Sequence, residues 1–317
     1  MPDYRVICFH SRLISTDRAS IERELTELVG KKSTCEKRDK LIVVGTQVLE
    51  QSLDIDFDYM ITELCPMDLL LQRSGRLHRH NRTRPDKLSE PELCVLIPED
   101  FSKSVYSGWI LTQTEKYLPD KLVIPGCIPK LVGAVYSEPD NDERQTAAYD
   151  KYKKKQKAKK DRAEKYCIKS TIIKVNNATL VDIIDRRQLN NDSDGEAAVR
   201  DGQETIETLV LVKTSDTEYS LFSRDAVFDI TSVPDNAQAK LIAKQRLRLP
   251  AFFSKSYNFG KTVEILANAM PQAWRNAKWL KGEILLLLDG NNEISLLGRT
   301  YKYSTERGFE EIKEEES

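Results

Sequence analysis

Between residues 41 and 80 the chain reads LIVVGTQVLEQSLDIDFDYMITELCPMDLLLQRSGRLHRH. Two short apolar runs, residues 41–44 and 59–61, are separated by a polar turn and followed, after Pro66, by an amphipathic stretch. Short apolar runs bounded by turn residues are the pattern of buried strands, and proline suits the first turn of a helix. The segment therefore demands a layered α/β fold in which helices cover a sheet. Residues 5–9 (RVICF) predict another buried strand and residues 92–97 a further one. After the first of these, Ser15 or Thr16 can cap a helix whose apolar Ile21, Leu25, Leu28 and Val29 share one face, with Gly30 as a left-handed stop. The first section is predicted to be a doubly wound α/β domain with an incomplete sheet.

The chemistry is concentrated in the helix after Pro66, which the pattern carries to about His80. On that helix Gln72, Arg76 and Arg79 fall at i, i+4 and i+7, one face, while Leu69, Leu70 and Leu77 face the sheet. An amide and two guanidiniums in a row fit a triphosphate, because guanidinium is permanently charged and forks onto phosphate oxygens. An arginine finger can be worth about 10³- to 10⁵-fold in rate. Gly75 would let a ligand approach the backbone. Any one arginine is ordinary on a surface helix; the whole Q-R-x-G-R-x-x-R string behind a strand is not. Yet no G-x-x-x-x-G-K-[ST] loop and no D-E-x-[HD] pair occurs in the sequence, so the arginines stand without the loop that grips ATP. Gly260-Lys261-Thr262 ends like such a loop, but Lys255 stands where its first glycine belongs.

Composition narrows the class. With 317 residues the length suits two domains, and 49 basic against 50 acidic side chains leave no global field for nucleic acid, so binding must come from local clusters. Six cysteines without a C-x-x-C pair, and His10, His78 and His80 as the three histidines, give no zinc spacing and no metal site. The opening residues lack a basic leader and an apolar stretch, and no run is long enough to span a bilayer. The chain reads as a cytoplasmic protein with no membrane partner and reduced thiols.

Farther on, residues 151–169 carry ten Lys or Arg against Asp161 and Glu164, in helix-forming composition. This predicts a basic linker helix, either a solvated spacer or an element that tracks a nucleic-acid backbone. Residues 190–203 predict a polar loop. A small α+β region follows: strands over residues 206–212 and 219–222, a helix over 236–247, a hairpin turning at Asp289-Gly290-Asn291-Asn292, and an acidic tail over 310–316 that frays.

The Q-R-x-G-R-x-x-R string behind T-Q-x-x-E-x-S-L-D resembles the last two motifs of superfamily two helicases. Together, TQVLEQSLDIDFD and DLLLQRSGRLHRH resemble the CRISPR-associated helicase-nuclease of type I systems; general DEAD-box enzymes, with A-T-D-x-x-x-R-G-x-D, fit less well. FHSRLISTDR, and more diffusely VRDGQETIETLVL, LRLP and LLGRTYKYSTERGF, extend the likeness along the chain. The resemblance implies a RecA-like second motor domain over residues 1–135, truncated at its N-terminus, a linker over 136–169 and a C-terminal accessory domain over 170–317. It implies that Arg76 and Arg79 contact the γ-phosphate, that Gln72 orients the attacking water or senses the nucleotide, and that Asp54 reaches the ATP ribose, with Gly75 also at the ATP site. It places His10, Ser11, Arg12, Thr46 and Gln47 against single-stranded DNA. Taken singly, Asp54 could cap a turn, His10 could be a core imidazole and Thr46 a strand-end hydroxyl. ATP with Mg²⁺, an N-terminal half in trans and a Cascade-type effector complex are the implied cofactor and partners. With three histidines, the family's HD nuclease is not expected here. Two other readings stand beside the motor: a stand-alone regulatory or DNA-binding subunit, and an inert gene product.

Overall fold

The computed structural model describes residues 4–50, 53–144, 146–166 and 205–312. Packing divides the chain into two compact units, one from residues 1–62, 69–95 and 203–317, the other from 63–68 and 96–202.

In the first unit β1 (Arg5–Phe9) lies parallel to β2 (Leu41–Gly45), with Val6 opposite Ile42 and Cys8 opposite Val44. Helix α1 (Ser15–Val29) and the short α2 (Cys35–Arg38) make the crossover. Alternation assigns the faces. Ile7 and Phe9 are buried with Leu25, Val29 and Ile55, and Val43 packs on them. On the opposite face Val6, Ile42 and Val44 are 57%, 43% and 53% exposed. Parallel sheets occur almost only with both faces covered, so this bare apolar face departs from the rule. Strand β3 (Tyr59–Glu63) pairs with β4 (Glu92–Leu96).

Three local expectations change. Helix α1 begins at Ser15, but its N-cap is Ile14 and no side chain caps it. The hydroxyls of Ser15 and Thr16 point away, donating to the Arg246 carbonyl at 3.1 Å and to Gln245 Oε1 at 3.3 Å. Gly30 is extended, at φ −77°, and not left-handed. Its glycine is required by closeness, since a Cβ would stand 2.2 Å from the Thr26 carbonyl oxygen. The largest change is in α3 (Met67–Ser74), which stops well before His80. Beyond it the chain turns back onto Phe57, whose N–H donates to the Arg76 carbonyl at 2.8 Å and whose carbonyl accepts from His78 N–H at 3.1 Å. A bridge to a distant residue outbids the helical ladder, and His78 adopts φ 48° to make it.

The C-terminal part of this unit is built on β5 (Glu207–Lys213), ETLVLVK, a continuous apolar run because both its faces are buried. Val210 and Val212 enter one core with Leu247, Phe253 and Tyr303; Leu209 and Leu211 enter another with Trp274. Around it stand β6 (Glu218–Ser220), β7 (Val227–Asp229), β8 (Arg246–Arg248) and β9 (Leu285–Leu288), of which β9 runs parallel to β5. Asp235 and Gln238 close a capping box on α8 (Asn236–Ala243). That helix ends short of Leu247, which pairs with Thr208 in the sheet. Gly260-Lys261-Thr262 lies inside α9 (Ser256–Ala269), with Thr262 buried and bonded to the Asn258 carbonyl at 2.9 Å. The turn at Asp289 forms, but its flanking strands part. Leu285–Leu288 joins β5, while β10 (Glu293–Leu296) pairs with β11 (Arg299–Ser304) and this with β12 (Gly308–Glu311). Glu310 and Glu311 are therefore strand residues and not part of a frayed tail; residues 313–316 lie outside the described residues, as does the loop expected over 190–203.

The β10–β12 sheet engages the loop after β1. Tyr303 is fully buried, its hydroxyl accepting from Ile14 N–H at 3.0 Å and donating to Asp17 Oδ2 at 2.6 Å. Burial and the Asp17 carboxylate push its phenol pKa far up, so it stays a donor. Phe309 N–H donates to the Arg12 carbonyl at 2.9 Å, and at Gly308 (φ 64°) a Cβ would stand 2.4 Å from that same oxygen.

The second unit is helical: α4 (Gly108–Lys116), α5 (Ile128–Tyr136), α6 (Asn141–Arg144) and α7 (Ala147–Tyr166). Trp109, Ile110, Leu111, Leu131, Val135 and Tyr149 are buried, and the Trp109 and Tyr149 rings meet edge-on at 5.0 Å. The expected basic helix is α7, exposed along its lysines. Among the described residues no helix is long and apolar enough to cross a membrane.

Tyr303→Phe removes one donor and one acceptor while keeping the ring, leaving the Ile14 amide and Asp17 without that partner. Unfolding in urea should show a loss of about 1–3 kcal/mol. A variant as stable as the parent would mean that the sheet is held by apolar packing alone.

Candidate functional site

Two groups of polar side chains stand out in the first unit, one of them at the carboxyl ends of β1 and β2. The first forms because parallel neighbours end together: Phe9 is opposite Gly45, and Thr46 N–H donates to the Phe9 carbonyl at 3.2 Å. His10, Ser11 and Arg12, after β1, thus stand beside Thr46 and Gln47, after β2. Carboxyl ends of strands in open α/β sheets are where ligands bind. Ser11, Arg12 and Thr46 are exposed, and Gln47 opens a 3₁₀ turn to Glu50. His10 is half-buried, accepting from Arg12 N–H through Nδ1 at 3.1 Å. Burial and then the Arg12 charge lower its pKa, against the Arg307 backbone and Glu310, so its ring is neutral at physiological pH.

The second group is Asp54, Arg76, Arg79 and His80. Arg79 Nε donates to Asp54 Oδ1 at 2.8 Å, and His80 Nε2 lies 3.1 Å from the same oxygen. Desolvation opposes ionisation of Asp54, but the Arg79 hydrogen bond and the neighbouring His80 and Arg79 charges outweigh it and hold the carboxyl below its usual range. Arg79 and Asp54 are 43% and 53% exposed, so their pair adds little stability and is easily exchanged for another anion. Arg76 is half-buried and donates to the carbonyls of Leu53 and, at 3.1 Å, Glu50. Burial, then repulsion from Arg79, lowers its pKa, though a guanidinium remains a cation at neutral pH. Gly75 has only ordinary neighbours, the nearest 3.5 Å from an added Cβ. Gln72 is exposed on α3, and since that helix ends at Ser74 it shares no helical face with Arg76 and Arg79. Arg73, the second letter of the string, is structural: its Nε and Nη2 donate to buried Glu50 at 2.8 and 2.6 Å and its Nη1 to Thr62 at 2.7 Å.

What fixes this geometry was not anticipated from the sequence. Asp56 has no solvent exposure; its carboxylate accepts from Arg84 at 2.8 Å, lies 2.7 Å from Arg82 Nε, and accepts the backbone N–H of Arg79 at 2.9 Å. Asp58 accepts from Arg38 at 2.6 Å and from Arg84. Arg82 Nη2 donates to the Gly30 carbonyl at 2.9 Å, while its buried Nη1 has no acceptor among the described residues. The signal was present as two complementary strings, acids at 54, 56 and 58 and arginines at 79, 82 and 84. Among the described residues no three of His, Cys, Asp and Glu form a metal cradle.

Residues 2–82 match a family model described as "CRISPR-associated nuclease/helicase Cas3, C-terminal", and residues 200–309 match the "Cas3 C-terminal domain". The chain belongs to the Cas3 family. It is 37% identical to the CRISPR-associated nuclease/helicase Cas3 of Streptococcus thermophilus over 96% of its own length and 35% of that relative's. The crystal structure of T. fusca Cas3-ATP shares its fold, with a TM-score of 0.74 at 23% identity over 96% of this chain and 35% of that one. A chain from a CRISPR RNA-guided surveillance complex, pre-nicking, aligns at TM-score 0.69 and 24% identity over 98% of this chain and 37% of that one. The chain thus spans about a third of the Cas3 proteins it matches.

Structural and site arginines separate by stability. Asp56→Asn strips two buried guanidiniums of their countercharge and should cost about 3–5 kcal/mol in chemical denaturation. Arg79→Ala, in open solvent, should cost under about 1 kcal/mol. Equal losses would assign Arg79 to the frame.

Proposed function

We propose that this chain supplies the second motor domain (residues 1–135), linker (136–169) and C-terminal domain (170–317) of an ATP-driven translocase on single-stranded DNA, acting in the cytoplasm with a Cascade-type complex. The observation that carries the reading is the exposed Arg79–Asp54 pair, with half-buried His80 and Arg76 beside it. There a guanidinium is parked on an easily displaced carboxylate, next to a second one on the same segment. Arg79 and Arg76 receive the γ-phosphate, Gln72 orients water and Asp54, once released, reaches the ribose. Bound ATP supplies the phosphoanhydride whose cleavage drives movement. The residues present fit its phosphate oxygens but not Mg²⁺, since the sequence holds neither phosphate loop nor D-E-x-[HD] pair. Those groups come from further polypeptide, in trans or in one longer chain, and the bare face of Val6, Ile42 and Val44 supports such a covering layer.

His10, Ser11, Arg12, Thr46 and Gln47 meet the DNA backbone. Coupling follows from Arg76, whose donors hold the carbonyls of Glu50 and Leu53. A phosphate that draws Arg76 away pulls on the segment that follows Thr46 and Gln47.

The 317-residue chain alone should show no DNA-stimulated ATP hydrolysis, and a polypeptide bearing the phosphate loop and carboxylate pair should restore it. In that reconstituted assay Arg79→Ala should lower turnover about 10³-fold with an unchanged melting curve. Turnover by the chain alone that Arg79→Ala abolishes would overturn the reading. The linker has its own signature. Replacing Lys153, Lys154, Lys155, Lys157, Lys159 and Lys160 by Gln should weaken single-strand binding and flatten its salt dependence by about 0.7 for each phosphate no longer neutralised. A salt slope identical to the parent's would make α7 a spacer.

A further inference from the structure

Within the helical unit is a cleft of about 160 Å³ whose lining includes Trp109, Tyr136, Glu138, Tyr149, Tyr152 and Gln156. We propose that it receives one base of single-stranded nucleic acid while Lys157 and Lys160, farther along the same helix, hold the adjacent phosphates. The inference rests on the nucleic-acid reading above and adds to it a stacking site.

Size and shape come first. Small-molecule sites commonly exceed about 300 Å³, so this cleft suits a flat ring rather than a whole nucleotide. Two of its aromatic side chains, Tyr136 and Tyr149, are tied by hydrogen bonds before any ligand arrives. Tyr136 donates its hydroxyl to Asp68 at 2.6 Å, Tyr149 donates to Glu138 at 2.9 Å, and Tyr152 lies 6.4 Å from Tyr149. Rings fixed in this way stack a base at little entropic cost.

Charge continues from the cleft along the same helix face. Tyr149, Tyr152, Lys153 and Gln156 are spaced i, i+3, i+4 and i+7 on α7, and Lys157 and Lys160 extend that stripe away from the rings. Aromatic rings followed by a row of exposed lysines are the two components of sequence-tolerant single-strand binding. Gln156, exposed at the rim, offers an amide to a base edge. A cationic ligand is disfavoured, because the aromatic site already has its own cation: Lys153 Nζ lies 5.5 Å from the centre of the Tyr149 ring and 2.9 Å from Glu138.

The test compares the 317-residue chain's affinity for a labelled oligothymidylate of about twelve nucleotides with that for an abasic strand of equal length and charge, by fluorescence anisotropy. The base-bearing strand should bind about tenfold tighter or more. Tyr152→Ala should abolish that preference while leaving abasic affinity and salt slope unchanged, and Tyr152→Phe should keep it. Equal affinity for the two strands, or a preference that survives Tyr152→Ala, overturns the stacking site and leaves backbone binding intact. Failure to bind either strand overturns both. If Tyr152→Ala lacks a cooperative melt, photocrosslinking of the parent with 4-thiothymidine decides: adducts on Tyr152 or Trp109 support the site, and adducts confined to other elements sink it.

Discussion

A carboxylate removed from water needs cationic or hydrogen-bonded partners in compensation, and Asp56 draws its partners from one short segment. Arg82 and Arg84 neutralise it, and the backbone amide of Arg79 is bound by it directly. The site follows from this. Once residue 79 is tied to residue 56, Arg79 and His80 must lie over Asp54, and Arg76 must lie over the carbonyls of Glu50 and Leu53. The exposed arginine is placed by buried ones.

The C-terminal sheet takes part in the same frame. The loop after β1 carries three of the residues expected to meet DNA, and it takes its shape from Tyr303, Gly308 and Phe309 nearly three hundred residues later in the chain. Ile14, at the start of α1, is capped by a tyrosine hydroxyl from another sheet in place of a local serine. The segment that matches the Cas3 C-terminal domain is therefore part of the structure that holds His10, Ser11 and Arg12.

Where the sequence was legible, the signal was local. The strands at residues 5–9, 41–45 and 92–96 announced themselves by apolar runs, and α7 by its composition. The motif string points to the family without any coordinate. Illegible features were those in which a local preference lost to a distant partner. Gln72, Arg76 and Arg79 have helical spacing, yet the ladder breaks because Phe57 takes the backbone groups of Arg76 and His78. Leu247 has helical periodicity with residues 236–243 but is claimed by β5. Leu285–Leu288 looked like one arm of a hairpin and became a parallel neighbour of β5, because four consecutive leucines suit a strand buried on both faces.

The sequence by itself determined the α/β class, the order of strands and crossover, the basic helix and the identity of the motif arginines. These depend on side-chain period and on residue chemistry, which are written locally. Tertiary structure decided which arginines are buried and which are free. Arg73, Arg82 and Arg84 look like Arg79 in a linear string, and only the fold shows three of them bound to Glu50 and Asp56 while the fourth rests on an exposed Asp54. A guanidinium's role is set by the dielectric around it and by the carboxylate within reach, and both are properties of packing between residues far apart in the chain.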